Sequence, residues 1–268
     1  MESAKEHEEV EFLSRKILDL NKQLIESEKA KSRFLSLVAS ELNNPMTALL
    51  GLIPHLKPSI DQEKIFQMIH QEALNLHFCV DNLVSAAEIE SGNVDIAFAT
   101  LDIGELLNEV IAELVYLTKE RNIIISIHNK IDFTIVSDPR KLALILKNLI
   151  SNACLYGLRN GIVDIAMEQV DAQLIIAVNN QGNGPKVEFK PQVFTRFAGG
   201  PEGDHGMGIG LSIVRELCEQ LGGSIDYTVS QEWVTFTATL PLEASVSESD
   251  ACGANEFLFD SFDGAVEL

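Results

Sequence analysis

The sequence predicts an α+β chain in which helices come first and an α/β sandwich follows. Two observations predict it. Apolar residues recur every three or four positions from Val10 to Ile89, and beyond Gly92 the period shortens to two within short runs separated by further helical patterns. A chain of 268 residues with 46% apolar side chains has the material for two packed cores.

Val10, Leu13, Ile17, Leu20 and Leu24 alternate in steps of three and four with charged residues between them, the seam of a short parallel coiled coil that implies a homodimer. The alternative is a lone amphipathic helix packed on its own domain. The pattern continues through Phe34, Leu35, Val38, Leu42, Met46, Leu49 and Ile53, so one long helix is expected to about His55, kinked at Pro45. Pro54 and Pro58 bracket a turn. A second helix then turns Ile65, Ile69, Leu76, Leu83 and Ile89 inward until Gly92 ends it. One hairpin leaves an apolar face uncovered, and two make a four-helix bundle.

After Gly92, LDIGELLNEVIAELVYLTKERN reads as one helix, and DPRKLALILKNLISNACLYG and GLSIVRELCEQLG as two more. IIISIHN, FTIVS, IVDIAMEQ, QLIIAVNN, SIDYTVS and WVTFTATL read as strands of a mixed sheet with helices on one face. The boundaries expected are 1–30 for the coiled coil, 31–95 for the hairpin, 96–242 for the sandwich and 243–268 for an acidic tail. That tail is too polar to offset chain entropy by burial and is expected to be disordered; its FLFDSF segment reads either as a docking peptide or latching strand or as a merely sticky, unstructured end.

Twenty basic against forty acidic side chains give a formal charge of −20, which repels phosphate backbones and anionic lipid, so nucleic acid is not an expected partner. The acidic opening MESAKEHEEVEFL lacks the form of a secretory signal, and no later apolar run approaches the roughly 20 residues of a membrane span. The expectation is a cytoplasmic chain. Cys79, Cys154, Cys218 and Cys252 are too scattered for a zinc site, and the first three fall in apolar helical patterns that suit buried thiols. Of the six histidines, His7, His55, His70, His77, His128 and His205, only His70 and His77, seven apart, could share a helical face, and ordinary helix positions are the better reading of them, so no metal site is expected there.

Four segments carry chemistry. In NLISNA, Asn148 and Asn152 lie four apart and share one helical face, where amide oxygens can ligate Mg²⁺, with Asn152 the metal ligand. An exposed polar stripe is the plainer reading of that spacing, but the flanking residues are apolar, so it would bury two unpaired amides. NNQGNG ends the apolar strand LIIAV, with Asn180 at its close and Gly182 and Gly184 free to turn sharply. VFTRF offers Arg196 to a phosphate. GMGIGLSIV carries Gly206, Gly208 and Gly210 straight into a helix, where backbone N–H groups and the positive helix end suit phosphate oxygens.

In that order and at those separations, the four segments resemble the ATP-binding domain shared by histidine kinases, gyrase-type ATPases and Hsp90-type chaperones. KSRFLSLVASELNNPMTALLG, residues 31–51, resembles the phosphoacceptor helix of two-component sensor histidine kinases, with Ser40 where that family carries its histidine. The resemblance covers roughly residues 30 to 242. It implies a dimeric helical hairpin joined to an ATP-Mg²⁺-binding sandwich, with ATP and Mg²⁺ as cofactors. It also implies that Asn180 stands where the family most often has an aspartate accepting a hydrogen bond from the adenine amino group, which an amide oxygen can also accept. By the same resemblance VFTRF anchors the lid over the nucleotide, Glu41 occupies the place of the residue that takes a proton from the attacking imidazole, and Asn44 matches the residue that positions water for hydrolysis of a phospho-aspartate. Leu155 departs from the pattern, standing where many relatives have a lysine or other polar group near the phosphates.

An imidazole nitrogen accepts a phosphoryl group readily near neutrality, whereas a serine hydroxyl needs an activating base. Three accounts follow: a histidine kinase whose acceptor was substituted, a dimeric pseudokinase that acts as scaffold for another histidine kinase or a response regulator receiver domain, and a phosphatase or phosphotransfer partner of a response regulator. Ser40 and Leu155 together favour the second. With labelled ATP the chain is expected to acquire no acid-labile, base-stable phosphate, and such label on His55 or any other histidine would contradict this reading. Ser40→His separates the causes: label on the variant means that only the acceptor was missing, and none means that Leu155 or Asn180 disables the site as well.

Overall fold

The computed structural model describes residues 14–18, 20–22, 42–55, 62–92, 95–182, 184–185, 193–194 and 209–242. Ser40 and Glu41, Arg196, Gly206 and Gly208, Cys252 and the FLFDSF segment lie outside these residues. The chain divides into a helical unit and an α/β unit.

In the helical unit residues 42–52 form a helix that runs on past Pro45, and Ile53–His55 tightens into a 3₁₀ turn. Helix α1, Gln62–Ser91, follows, and Gly92 takes a left-handed φ of 69°, its N–H bonding the Ile89 carbonyl at 3.1 Å. A residue with a Cβ is strained there, so the glycine ends the helix where the sequence places its stop. Ile65, Ile69, Leu76, Leu83 and Ile89 are half-buried. Phe66, Met68, Val80 and Val84 of α1 are exposed, as are Met46, Leu50 and Ile53 before it and Ile17 and Leu20 earlier still.

The α/β unit opens with β1, Ala99–Leu101, then α2, Ile103–Glu113, and α3, Val115–Arg121. The single helix expected over this stretch is therefore two. Leu114 between them has φ −93° and ψ 5°, its N–H shared between the Val110 and Ile111 carbonyls, and the chain tightens to a three-residue turn as Leu117 N–H reaches the Leu114 carbonyl at 3.0 Å. The break puts both Leu114 and Leu117 in the core. The remaining elements are β2, Ile124–Asn129; β3, Ile135–Ser137; α4, Pro139–Tyr156; β4, Ile162–Val170; β5, Gln173–Gln181; α5, Gly210–Gln220; β6, Ser224–Ser230; and β7, Trp233–Pro241.

Five strands form one mixed sheet in the order β2-β4-β5-β7-β6, parallel only between β2 and β4, while β1 and β3 make a separate antiparallel pair. Period-two alternation gives the large sheet one buried face: Val163, Ile165 and Met167 of β4, Leu174, Ile176 and Val178 of β5, Val234, Phe236, Ala238 and Leu240 of β7, and Tyr227 of β6. Helix α4 packs on β4 and β5, and α2 and α3 pack on α4. This is the α/β sandwich that the sequence predicts. Helix α5 ends in a two-glycine turn, Gly222 at φ 75° with its N–H on the Glu219 carbonyl and Gly223 N–H on the Cys218 carbonyl at 2.7 Å.

Cys154 and Cys218 are buried, and desolvation pushes their thiols up to about 11 and about 12, so both stay protonated and unreactive near neutral pH. Cys79, expected to be buried, is only half-buried, because α1 presents a wide exposed face.

Asp138 is buried and performs two tasks. Its carboxylate caps α4, accepting from the N–H groups of Arg140 and Lys141 at 3.0 Å, and it accepts from Ala97 N–H at 2.9 Å, which ties the segment leading into β1 to the start of α4. Asp138→Ala removes a cap and orphans a backbone donor, and is expected to cost about 2–3 kcal/mol in urea unfolding of the chain.

Candidate nucleotide site

Helix α4 carries two of the expected site residues, and local sequence explains its placement. Asp138 caps it, Pro139 occupies its first turn where no N–H is required, and its buried side runs through Leu142, Ile145, Leu146, Leu149, Ile150 and Ala153. Lys147, with only 12% of its side chain exposed, pairs with Glu113 of α2, and Lys141 Nζ donates to Gln220 Oε1 of α5 at 3.0 Å. Asn148 is 3% exposed, yet its Nδ2 donates to the Leu144 carbonyl one turn back at 2.9 Å. Its amide is thus satisfied within its own helix, which corrects the sequence argument that burial there would leave it unpaired. Asn152 and Leu155 are half-buried one and two turns further on.

The helix ends at Tyr156, and Gly157 turns extended (φ −68°, ψ 164°) with its N–H on the Ala153 carbonyl. A Cβ on Gly157 would lie 2.5 Å from that carbonyl oxygen, so only glycine lets the chain leave α4 here. Beyond it Leu158 N–H donates to the Gln181 carbonyl at 2.7 Å, bringing the exit of α4 to the end of β5.

On β5 the inward row Leu174, Ile176, Val178 closes with Asn180, which is 4% exposed. Its neighbour Asn179 faces the other side of the sheet and is fixed there, Nδ2 donating to Asp164 Oδ2 at 3.3 Å and Oδ1 accepting from the Thr235 hydroxyl. Asn180 differs. Among the described residues no hydrogen bond engages its side-chain amide, whose nitrogen and oxygen are not fully buried and so stay open at the rim of the core. Gly182 follows, its N–H on the Glu232 carbonyl at 2.9 Å. A Cβ there would lie 2.7 Å from the Tyr156 carbonyl oxygen, 3.3 Å from Asn180 Nδ2 and 3.5 Å from Gly157 Cα. At Gly184 a Cβ would meet Val229 at 2.7 Å and Val234 at 2.9 Å.

The structure therefore brings Asn180 and Gly182 against the end of the helix that carries Asn148 and Asn152. Gly210 opens α5, whose Ser212 hydroxyl donates to the Ile209 carbonyl at 2.7 Å. Asn44 is exposed on the helix of residues 42–52. Gly157 and Glu232 were not expected at the site. Gly157 was readable as the glycine that stops the α4 pattern, whereas the Glu232 carbonyl acts through its backbone and leaves no mark in the sequence.

An amide with free capacity beside a glycine-only backbone is a donor set that fits the edge of a purine, and the half-buried Asn152 oxygen is a hard ligand of the kind that Mg²⁺ takes. Gly182→Ala forces a backbone shift at the Tyr156 carbonyl. It is expected to cost about 1–3 kcal/mol and to lower the midpoint of thermal unfolding.

Residues 137–244 match the family described as histidine kinase-, DNA gyrase B-, and HSP90-like ATPase. The chain is 25% identical over 255 residues to the hybrid signal transduction histidine kinase D of Dictyostelium discoideum, a match covering 90% of this chain and 16% of that protein. It is 24% identical over 226 residues to the heme sensor protein HssS of Staphylococcus aureus (strain Newman), covering 83% of this chain and 49% of the relative. The chain thus spans about half the length of the second relative and less of the first. Its fold resembles that of the Acinetobacter baumannii histidine kinase AdeS, with a TM-score of 0.56 and 21% identity over 76% of this chain and 98% of that one. It also resembles the histidine kinase ThkA in complex with the response regulator protein TrrA, with a TM-score of 0.51 and 23% identity over 78% of this chain and 61% of that one. Residues 137–244 thus match the histidine kinase-, DNA gyrase B- and HSP90-like ATPase family, and the chain as a whole is similar to two-component sensor histidine kinases.

Proposed function

We propose that this chain is a dimeric, histidine-kinase-like signalling protein that binds ATP-Mg²⁺ within residues 96–242 and does not autophosphorylate at Ser40, acting as a pseudokinase or scaffold. The open amide of Asn180, at the end of the buried row of β5, without a partner among the described residues and set beside Gly182, carries the nucleotide reading. It gives a base edge a hydrogen-bonding group that the protein itself does not use. Asn148 and Asn152 would hold Mg²⁺ from the same helical face. Bound Mg²⁺ would supply charge neutralisation for the phosphates, while the protein's own groups orient the nucleotide and exclude water.

Dimerisation is supported by the apolar residues that one chain leaves in water, Phe66, Met68, Val80 and Val84 on α1 and Ile17 and Leu20 before it. The partner chemistry follows from the family: a response regulator receiver domain or a second histidine kinase, as ThkA is complexed with TrrA. A phosphatase reading is favoured by one observation, the exposed Asn44 amide on its helix, which can orient water without an imidazole.

Calorimetry tests the nucleotide reading. ATP is expected to bind with saturable heat below about 1 mM, more tightly with Mg²⁺, and Asn180→Ala to weaken binding about tenfold or more. No heat of association at millimolar ATP, with or without Mg²⁺, would end the reading. Faster loss of phosphate from a phosphorylated receiver domain, abolished by Asn44→Ala, would favour the phosphatase account over the scaffold.

A further inference from the structure

Arg121 ends α3, outside the groups assigned to the nucleotide, yet it grips the loop that leaves α4 at two points. Its Nη2 donates to the Gly157 carbonyl at 3.0 Å, and its own backbone carbonyl accepts from Asn160 N–H at 3.0 Å. The next residue adds a third tie, Asn122 Nδ2 donating to Asn160 Oδ1 at 2.9 Å. Both asparagines hold left-handed backbones, φ 53° and 61°, so the two turns face one another in fixed conformations. The guanidinium sits at the C-terminal end of α4, where a cation meets the negative end of the helix dipole.

The far side of the same loop is the nucleotide side. Leu158 N–H bonds the Gln181 carbonyl, a Cβ on Gly157 would lie 3.6 Å from Asn180 Cβ, and one on Gly182 would lie 2.7 Å from the Tyr156 carbonyl oxygen. The loop thus stands between Arg121 and the pair Asn180–Gly182 with no slack for a methyl group. Moving Gly157 moves the wall against which both rest.

We infer that Arg121 is a positioning residue of the nucleotide site, acting through Gly157 and Tyr156 to fix Asn180 and Gly182, an inference that rests on the nucleotide reading above. Its buried Nε has no hydrogen-bond partner, so the guanidinium is held for the carbonyl it reaches rather than for full satisfaction of its own donors. A lysine could reach one carbonyl but would not reproduce the planar fork.

In the 268-residue chain, Arg121→Gln is expected to raise the Kd for Mg-ADP about tenfold at a temperature where near-ultraviolet circular dichroism shows it folded. Amide exchange at residues 180–182 should quicken in the same variant, and Arg121→Lys should recover part of the affinity. A purely structural role would lower the unfolding midpoint and leave the Kd of the folded variant alone, so a folded Arg121→Gln that binds within about twofold of the parent overturns the inference. If that variant does not fold, Arg121→Lys carries the test, since it keeps the charge at the end of α4 and loses the planar fork: a rise in Kd of about threefold is expected, and an unchanged Kd overturns the inference. A parent chain that takes up no nucleotide removes the nucleotide reading and this role with it, whereas uptake by the parent and equal uptake by the variants removes this role alone.

Discussion

The register of β5 is the constraint on which the rest of the α/β unit depends. β5 is the middle strand of five, antiparallel to both neighbours, and its inward row runs Leu174, Ile176, Val178, Asn180. A slip of one residue would turn that row to water and bring Ile175, Ala177 and Asn179 inside, so the burial of three large side chains fixes where the fourth, polar one must point. At roughly 1.5–3 kcal/mol for each fully buried aliphatic side chain, the three outweigh the cost of one buried amide of about 1–3 kcal/mol. Asn180 is therefore held inside by its neighbours and not by bonds of its own, which leaves its amide available.

The outer side of the sheet shows the opposite solution. Asn179 sits one residue away and is fully engaged with Asp164 and Thr235, and Asp164 also meets His128 at 3.0 Å. Polar groups on this face bind each other across four strands, β2, β4, β5 and β7, and so settle the pleat in water. Two adjacent residues of one chemical type thus serve different ends. The one on the outer face is tied down, and the one at the end of the inward row is left open among the described residues, which marks Asn180 as the group to explain.

Much of this was legible in the sequence, and what was not has physical reasons. β6 is read at both of its ends, and β4, β5 and β7 to within one residue, because their alternation is strict and their turns are marked by polar residues or glycine. Gly92 and Gly222 mark helix ends because no other residue takes their backbone cheaply. β1, only three residues long, has no pattern of its own and exists by pairing with β3, more than thirty residues away. The break at Leu114 is equally hidden, since the apolar spacing continues through it and only the demand to bury both Leu114 and Leu117 bends the chain. At the candidate site, Asn180 and Gly182 were readable from their place after a buried strand. The grip of Arg121 on Gly157 spans 36 positions, and a single arginine after an amphipathic helix announces nothing of it.

The same packing bears on what a serine at position 40 means. The described apolar core of the α/β unit is drawn from residues between Ile103 and Leu240, and the groups that define the nucleotide edge are set by β5, by the exit of α4 and by the carbonyl of Glu232. Among the described residues these ties are made between residues of the α/β unit itself. Replacing an imidazole by a hydroxyl removes a nucleophile that works at neutral pH but takes no side chain from the sheet, so loss of the acceptor need not bring loss of nucleotide binding. Gly182 is kept bare by the packing itself, since a Cβ there would meet the Tyr156 carbonyl oxygen at 2.7 Å, so it is the open amide of Asn180 that bears on nucleotide.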